Sequence, residues 1–214
     1  MNAVKLIGIT KPLIDNFSVE DFVTYCARVS NPTNQFNTKT SSNLLKYLIE
    51  HNHWSPLEMV HIVMEINTTR DIARQILRHR SFSFQEFSQR YAEVQNMADP
   101  RETRLQDIKN RQNSLETNDV TLARMWEAKQ QQIIHETNLA YKWAIQNGIA
   151  KEQARSVLPE GLTLSRMYMA GTLRSWIHYY TLRLSNGTQK EHREIARECR
   201  DIIYQEFPSI KNIV

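Results

Sequence analysis

Apolar residues recur in this chain with two different periods, and the change from one to the other marks out its elements. In "VHIVMEIN" Val60, Ile62, Met64 and Ile66 alternate with His61, Glu65 and Asn67, as in a half-buried strand, and only Val63 breaks the pattern. "TRDIARQILR" follows at once and brings Ile72, Ala73, Ile76 and Leu77 together at helical spacing. Upstream, Ser18 and Asp21 resemble a capping box before a first helix carrying Phe22, Val23, Tyr25, Cys26 and Val29. "SSNLLKYLIEHN" predicts a second helix, capped by Ser41 or Ser42, with Leu44, Leu45, Leu48 and Ile49 on one face and "HWSP" as its breaker. Val94 to Val120 is polar, contains Pro100 and predicts a long loop. A long amphipathic helix from Leu122 to Gln146 then runs to an Asn147-Gly148 stop. A helix holds "KEQARSVLP", "LTLSRMYMAG" reads as a strand, and "TLRSWIHYYTLRLS" reads as a later helix. The last helix starts at Thr188, with Glu191 completing a capping box. The fold class is α+β: a small sheet with long helices around it. No internal repeat or low-complexity tract occurs.

Composition narrows the class. The 214 residues, 41% of them hydrophobic, suffice for one domain, 1–214, with a core of its own. A net charge of +4 and a pI near 9.1 suit a phosphate-bearing ligand but fall well short of a dedicated nucleic-acid binder. Cys26 and Cys199 are too few and too unpatterned for a disulfide framework or a zinc site, so reduced thiols are expected. Of the two, Cys26 falls on the apolar face of the first helix and reads as a buried structural thiol. No run approaches the roughly 20 apolar residues of a membrane span, and "MNAVKLIGITKPLID" lacks the apolar core of a leader. A soluble, cytoplasmic protein is expected. His51, His53 and His61 raise the possibility of a metal, but His-x-His without further ligands is a weak signal, and no metal is expected.

The chemistry concentrates in "RHRSFSFQEFSQRY", Arg78 to Tyr91. The five glycines, Gly8, Gly148, Gly161, Gly171 and Gly187, assemble neither a dinucleotide fingerprint nor a P-loop, so side chains must hold any phosphate. Arginine suits that task, because its rigid fork donates paired hydrogen bonds and keeps its proton. On an extended segment Arg78 and Arg80 point one way and His79 the other, whereas on a helix the two arginines diverge by about 200 degrees. A shared anion site therefore requires the helix to end near Leu77. Basic residues in a last helical turn also stabilise the macrodipole and often do nothing else. Gln85, Glu86, Ser83 and Ser88 beside the arginines add donors and acceptors able to read a base or a sugar, while Phe82, Phe84 and Phe87 read as core anchors.

"RHRSFSFQEFSQR" resembles the signature of the flavin-dependent thymidylate synthases, RHRxxSxNExSxR, with Gln85 in place of the usual Asn. "CARVSNP", "YLIEHNHWSPLE", "ARQILRHR", "ARSVLP" and "LRSWIHYYTLR" fall in the family's order, so the likeness covers most of the chain. The resemblance implies reductive methylation of dUMP to dTMP. It brings methylenetetrahydrofolate as one-carbon donor, FAD as hydride carrier, NADPH as its reductant, and a homotetramer whose sites are shared between subunits. It implies that Ser30, His53, Ser55, Glu58, Arg78, His79, Arg80, Glu86, Arg174 and His178 line the flavin. Gln75, Glu86, Ser88, Gln89, Arg90, Arg155 and Arg183 match the deoxynucleotide site, and His53 and Arg80 match positions where the folate would approach.

Uracil C5 is a feeble nucleophile, and pushing electron density onto it builds negative charge along the edge bearing O2, N3 and O4. A fixed cation there acts more on the transition state than on the ground state, and Arg183 is the candidate. Ser88 has no evident base beside it and is assigned to binding. Two rivals stay open. One is a flavin enzyme for another pyrimidine such as dCMP, and the other is a helical nucleic-acid-binding protein without flavin.

Overall fold

A computed structural model of the chain describes residues 3–211 and 213. Its strands and α-helices are, in chain order, β1 (Val4–Ile9), α1 (Val19–Ala27), α2 (Ser41–Glu50), β2 (His61–Thr69), α3 (Arg70–Ile76), β3 (Ser83–Glu86), β4 (Arg104–Gln106) and β5 (Ser114–Glu116). There follow α4 (Val120–Gln146), α5 (Lys151–Ala154), β6 (Leu164–Thr172), α6 (Leu173–Arg183) and α7 (Lys190–Glu206). The class is α+β, as the two periods predict.

The sheet has the order β1-β2-β6-β3, and every neighbouring pair is antiparallel. Alternation in β2 is the physical origin of its place: Ile62, Met64 and Ile66 are fully buried while His61 and Asn67 are exposed. In β6 Met167 and Met169 are buried, and in register Met64 pairs with Met169 and Ile66 with Met167. The same core takes Ile72 and Ile76 from α3, Trp176 and Ile177 from α6, Ile203 from α7 and Leu45 from α2. Each such side chain stabilises the fold by roughly 1.5–3 kcal/mol through burial. Trp176 Nε1 also donates to the Ile62 carbonyl at 3.2 Å and ties α6 to β2.

β2 and β6 run straight into α3 and α6. Thr69 and Thr172 hold the extended backbone that a helix N-cap needs, and the Thr172 hydroxyl accepts from Ser175 N–H. Buried Gly171 allows a close approach: a Cβ there would lie 2.4 Å from the ring of Phe82. Gly148, at φ +74°, closes α4 with a Schellman pair, its N–H on the Ile145 carbonyl and Ile149 N–H on that of Ala144.

Several expectations change. β1 escapes the sequence because Leu6 pairs with Met64 and Gly8 with Val63, leaving Ile7 as a bulge that interrupts the alternation. The Ser18–Asp21 box is present, but α1 stops at Ala27, and Val29 beyond it is exposed. Neither Ser41 nor Ser42 caps α2, whose N-cap Thr40 makes no side-chain capping bond and accepts from Arg28 instead; Ser41 Oγ accepts from the buried Thr24 hydroxyl at 2.9 Å. The Thr188–Glu191 box does not form. Gln189 is the N-cap of α7, and the Glu191 carboxylate pairs with Arg104. Helix α4 begins at Val120, capped by Asp119 on Leu122 N–H at 2.9 Å, and "KEQARSVLP" is helical only to Ala154 before a 3-10 turn. Cys199 is the fully buried thiol, whereas Cys26 is only half-buried.

The segment from Val94 to Val120 is not structureless. β4 and β5 form a hairpin, and charged side chains anchor its base. Arg101 makes paired bonds to Asp71 at 2.8 and 2.7 Å, and its backbone N–H donates to Gln130 Oε1 at 2.8 Å. Lys190 reaches Glu102 at 2.8 Å and Glu116 at 3.2 Å.

Candidate active site

The signature segment is divided by the end of α3. Leu77 is its C-cap, and His79 N–H closes a turn onto the Ile76 carbonyl at 3.0 Å. The helix thus stops where a shared anion site requires, leaving Arg78 and Arg80 exposed and His79 turned partly inward. Neither guanidinium makes a hydrogen bond or ion pair among the described residues. His79 packs edge-on against Tyr179, with ring centroids 4.9 Å apart. Arg183 Nε–H donates to His79 Nε2 at 2.8 Å, which requires that nitrogen to carry no proton. Burial first, and the charge of Arg183 second, press the His79 pKa down to about 4. Gln75, from α3, belongs to the same group: its Oε1 lies 3.3 Å from His192 Nδ1, and its Nε2 donates to Gln189 Oε1 at 2.8 Å.

A second group gathers beyond β3. Glu86 Oε1 accepts from Ser165 Oγ at 2.6 Å and pairs with Arg70 at 3.4 Å. Ser88 Oγ accepts from Arg90 N–H at 3.4 Å, and the Arg90 guanidinium pairs with Glu152 at 3.2 Å. Gln89 is 5% exposed, and its Nε2 has no hydrogen-bond partner among the described residues. It lines a cleft of about 430 Å³ together with Arg70, Arg74, Arg155 and Ser156 and the carboxylates Glu152 and Glu160. A buried amide N–H without a partner is a donor waiting for an acceptor, and with Arg74 paired to Glu160, Arg70 and Arg155 are the cations the cleft can turn to an anion.

The third group lies at the start of α6. Arg174 pairs with Glu58, and His178 packs on Trp54 with centroids 4.6 Å apart. Burial, then the charge of Arg174, lowers the His178 pKa. Ser55 opens the 3-10 turn that carries Glu58, His53 sits exposed with Tyr47 5.9 Å away, and Ser30 is exposed beyond α1. Ser175 Oγ bonds the Ser81 carbonyl at 3.3 Å and joins this group to the signature turn.

The protein matches the model of the family described as thymidylate synthase complementing protein over residues 12–209. The chain belongs to that family. Relatives agree: a protein of Paramecium bursaria Chlorella virus 1, named "Probable flavin-dependent thymidylate synthase", is 50% identical over 97% of this chain and 96% of its own. The "Flavin-dependent thymidylate synthase" of a Synechocystis species is 47% identical over 97% and 96%. Among solved structures, the UMP/dUMP methylase PolB from Streptomyces cacaoi bound with 5-Br UMP superposes with a TM-score of 0.81 over 98% of this chain and 93% of its own, at 21% identity. That likeness shows the shared fold.

Several residues that contact the candidate site residues are absent from the sequence reading. Arg70 orients against Glu86, Trp54 supports His178, and His192 with Tyr179 closes over Gln75 and His79. Arg70 lies in the quoted helix and Trp54 in "HWSP", but nothing local showed where they would point. Phe82 and Phe84 do pack on the core, whereas Phe87 lines a surface cleft beside Arg166. His51, His53 and His61 form no metal-holding group among the described residues.

Proposed function

We propose that the chain catalyses the reductive methylation of dUMP to dTMP, with methylenetetrahydrofolate as one-carbon donor and FAD, recharged by NADPH, as hydride carrier. Relatives at 50% and 47% identity over nearly their whole length support the reaction. The observation of the chain itself that carries it is Gln89, whose buried, unpartnered Nε2 lines the arginine-rich cleft beside the signature.

The nucleotide falls to Gln75, Glu86, Ser88, Gln89, Arg90, Arg155 and Arg183. Arg70 and Arg155 offer the cleft its positive charge, and Glu86 holds Arg70 in place. Arg183 acts on the uracil edge. Its Nε–H is spent on His79, which fixes the plane of the guanidinium and leaves both terminal nitrogens for an oxyanion. Because His79 stays neutral at working pH, it orients Arg183 without adding a repelling charge.

The flavin falls to Ser30, His53, Ser55, Glu58, Arg78, His79, Arg80, Glu86, Arg174 and His178. The donor set fits: Arg78 and Arg80, unpaired among the described residues, suit a diphosphate, and the Trp54–His178 rings suit a planar system. Reduced FAD, when bound, supplies the hydride that turns the transferred methylene into a methyl. His53 and Arg80 stand where the folate approaches.

The chain works as one domain, 1–214, in a cytoplasmic homotetramer with shared sites. Met125, Trp126, Ile133, Leu139 and Trp143 of α4 are all exposed on the single chain, as an assembly face would be. No helix among the described residues is long and apolar enough to cross a membrane.

The test is a visible absorption spectrum after FAD loading and desalting, followed by titration with dUMP and, separately, dCMP. Retained flavin whose bands respond to dUMP is expected. A folded protein that retains none would favour nucleic-acid binding, and a response to dCMP alone would move the substrate.

A further inference from the structure

We infer that His192 is a positioning residue of the nucleotide site, holding the Gln75 side-chain amide in one sense. The inference rests on the reading of Gln75 as a nucleotide contact. His192 is fully buried on α7, and both of its ring nitrogens are engaged. Nε2 lies 3.1 Å from the Tyr179 hydroxyl and Nδ1 3.3 Å from Gln75 Oε1.

Counting protons fixes the direction of this chain. Tyr179 is 1% exposed, and its hydroxyl has no other partner among the described residues. A ring proton on Nε2 would strand the phenol hydrogen in the core, which buried donors avoid. Tyr179 therefore donates to Nε2, the ring proton sits on Nδ1, and Nδ1–H donates to Gln75 Oε1. Gln75 Nε2 is left to face Gln189 Oε1 at 2.8 Å. Flipping the Gln75 amide would set N–H against N–H at one end and oxygen against oxygen at the other. Burial, reinforced by the charges of Arg183 and then His79, holds the His192 pKa down to about 3, so the ring carries this single proton at working pH. Gln75 consequently presents one remaining N–H and one remaining lone pair in a set order, a few residues from the Arg78 turn.

The test uses full-length, flavin-loaded protein and titration calorimetry with dUMP. His192→Leu and His192→Gln should weaken dUMP binding about tenfold, because neither donates at the Nδ1 position. His192→Asn, whose amide nitrogen falls near Nδ1, should stay within about threefold of the parent, and kcat at saturating dUMP should hold in all of them. Tyr179→Phe keeps the packed ring and removes the phenol proton; it should weaken dUMP binding in the same direction. Nitrogen NMR of the parent should show Nδ1 protonated and Nε2 bare, and the reverse tautomer overturns the inference. So does a leucine variant that binds dUMP as the parent does and loses only thermal stability. A parent that keeps flavin but binds no dUMP overturns the reading of Gln75 and this inference with it, a result distinct from equal binding by parent and variant.

Discussion

Arg183 Nε donates to His79 Nε2 across 2.8 Å, so the last turn of α6 grips the middle residue of the Arg-His-Arg turn 104 positions earlier. The outer arginines remain exposed and, among the described residues, unpaired. A single hydrogen bond thus couples the candidate for uracil activation to the turn assigned to the flavin.

Arg183→Ala should lower kcat about 10²–10³-fold, the usual loss for one preorganised charge donor, while FAD retention changes less than about twofold. Arg183→Lys should recover only part, since an ammonium lacks the fork that bonds His79 and an oxyanion together. Steady-state kinetics beside flavin absorbance checks both, and unchanged turnover in the alanine variant removes the assigned role. In the same variant, proton NMR should show His79 titrating above about 4 but still below 6.5, because burial is the larger cause of its shift.

Stability should fall as the pH is lowered from about 6.5 toward 4. In the unfolded chain His79 and His192 take up protons near 6.5, whereas in the fold they resist until about 4 and about 3. Between those values the unfolded state binds more protons, so acidification favours it, and the full stabilisation is present above 6.5. Carboxylates stay ionised in both states down to about pH 5, so urea midpoints between pH 7.5 and 5 isolate the imidazoles. His192→Asn should flatten the slope; an identical slope would mean that His192 does not titrate in this way.

Gln89→Leu should move stability and binding in opposite directions. Removing a buried amide without a partner should raise stability by about 1 kcal/mol, while dUMP affinity should drop at least about tenfold for loss of a buried donor. Thermal melts and calorimetry measure the two. A variant that loses both would show that Gln89 supports the fold rather than the ligand.

Gly171→Ala should destabilise by roughly 1–3 kcal/mol, because its Cβ would meet the Phe82 ring at 2.4 Å and force the strand or the ring aside. Hydrogen exchange should rise in β3, which Phe82 leads into and which, among the described residues, pairs with β6 at the sheet edge. A melt within 1 °C of the parent would show that the ring yields freely.

The sequence by itself determined the local elements and the chemical inventory. Alternation around Ile62 and Met64, helical spacing around Ile72 and Ile76, and the Asn147-Gly148 stop each depend on neighbours a few residues apart, which periodicity reads directly. The signature motif placed Arg78, Glu86, Ser88 and Arg90 in one short segment for the same reason. Capping was legible only where no stronger partner competed: Ser18 kept its box, while Glu191 was drawn off by Arg104, which lies 87 positions away. Tertiary structure alone decided which polar groups meet. The grip of Arg183 on His79, the Arg70–Glu86 pair and the chain from buried Tyr179 and His192 to half-buried Gln75 join residues far apart in sequence. Their energies depend on burial and direction, which no spacing along the chain encodes.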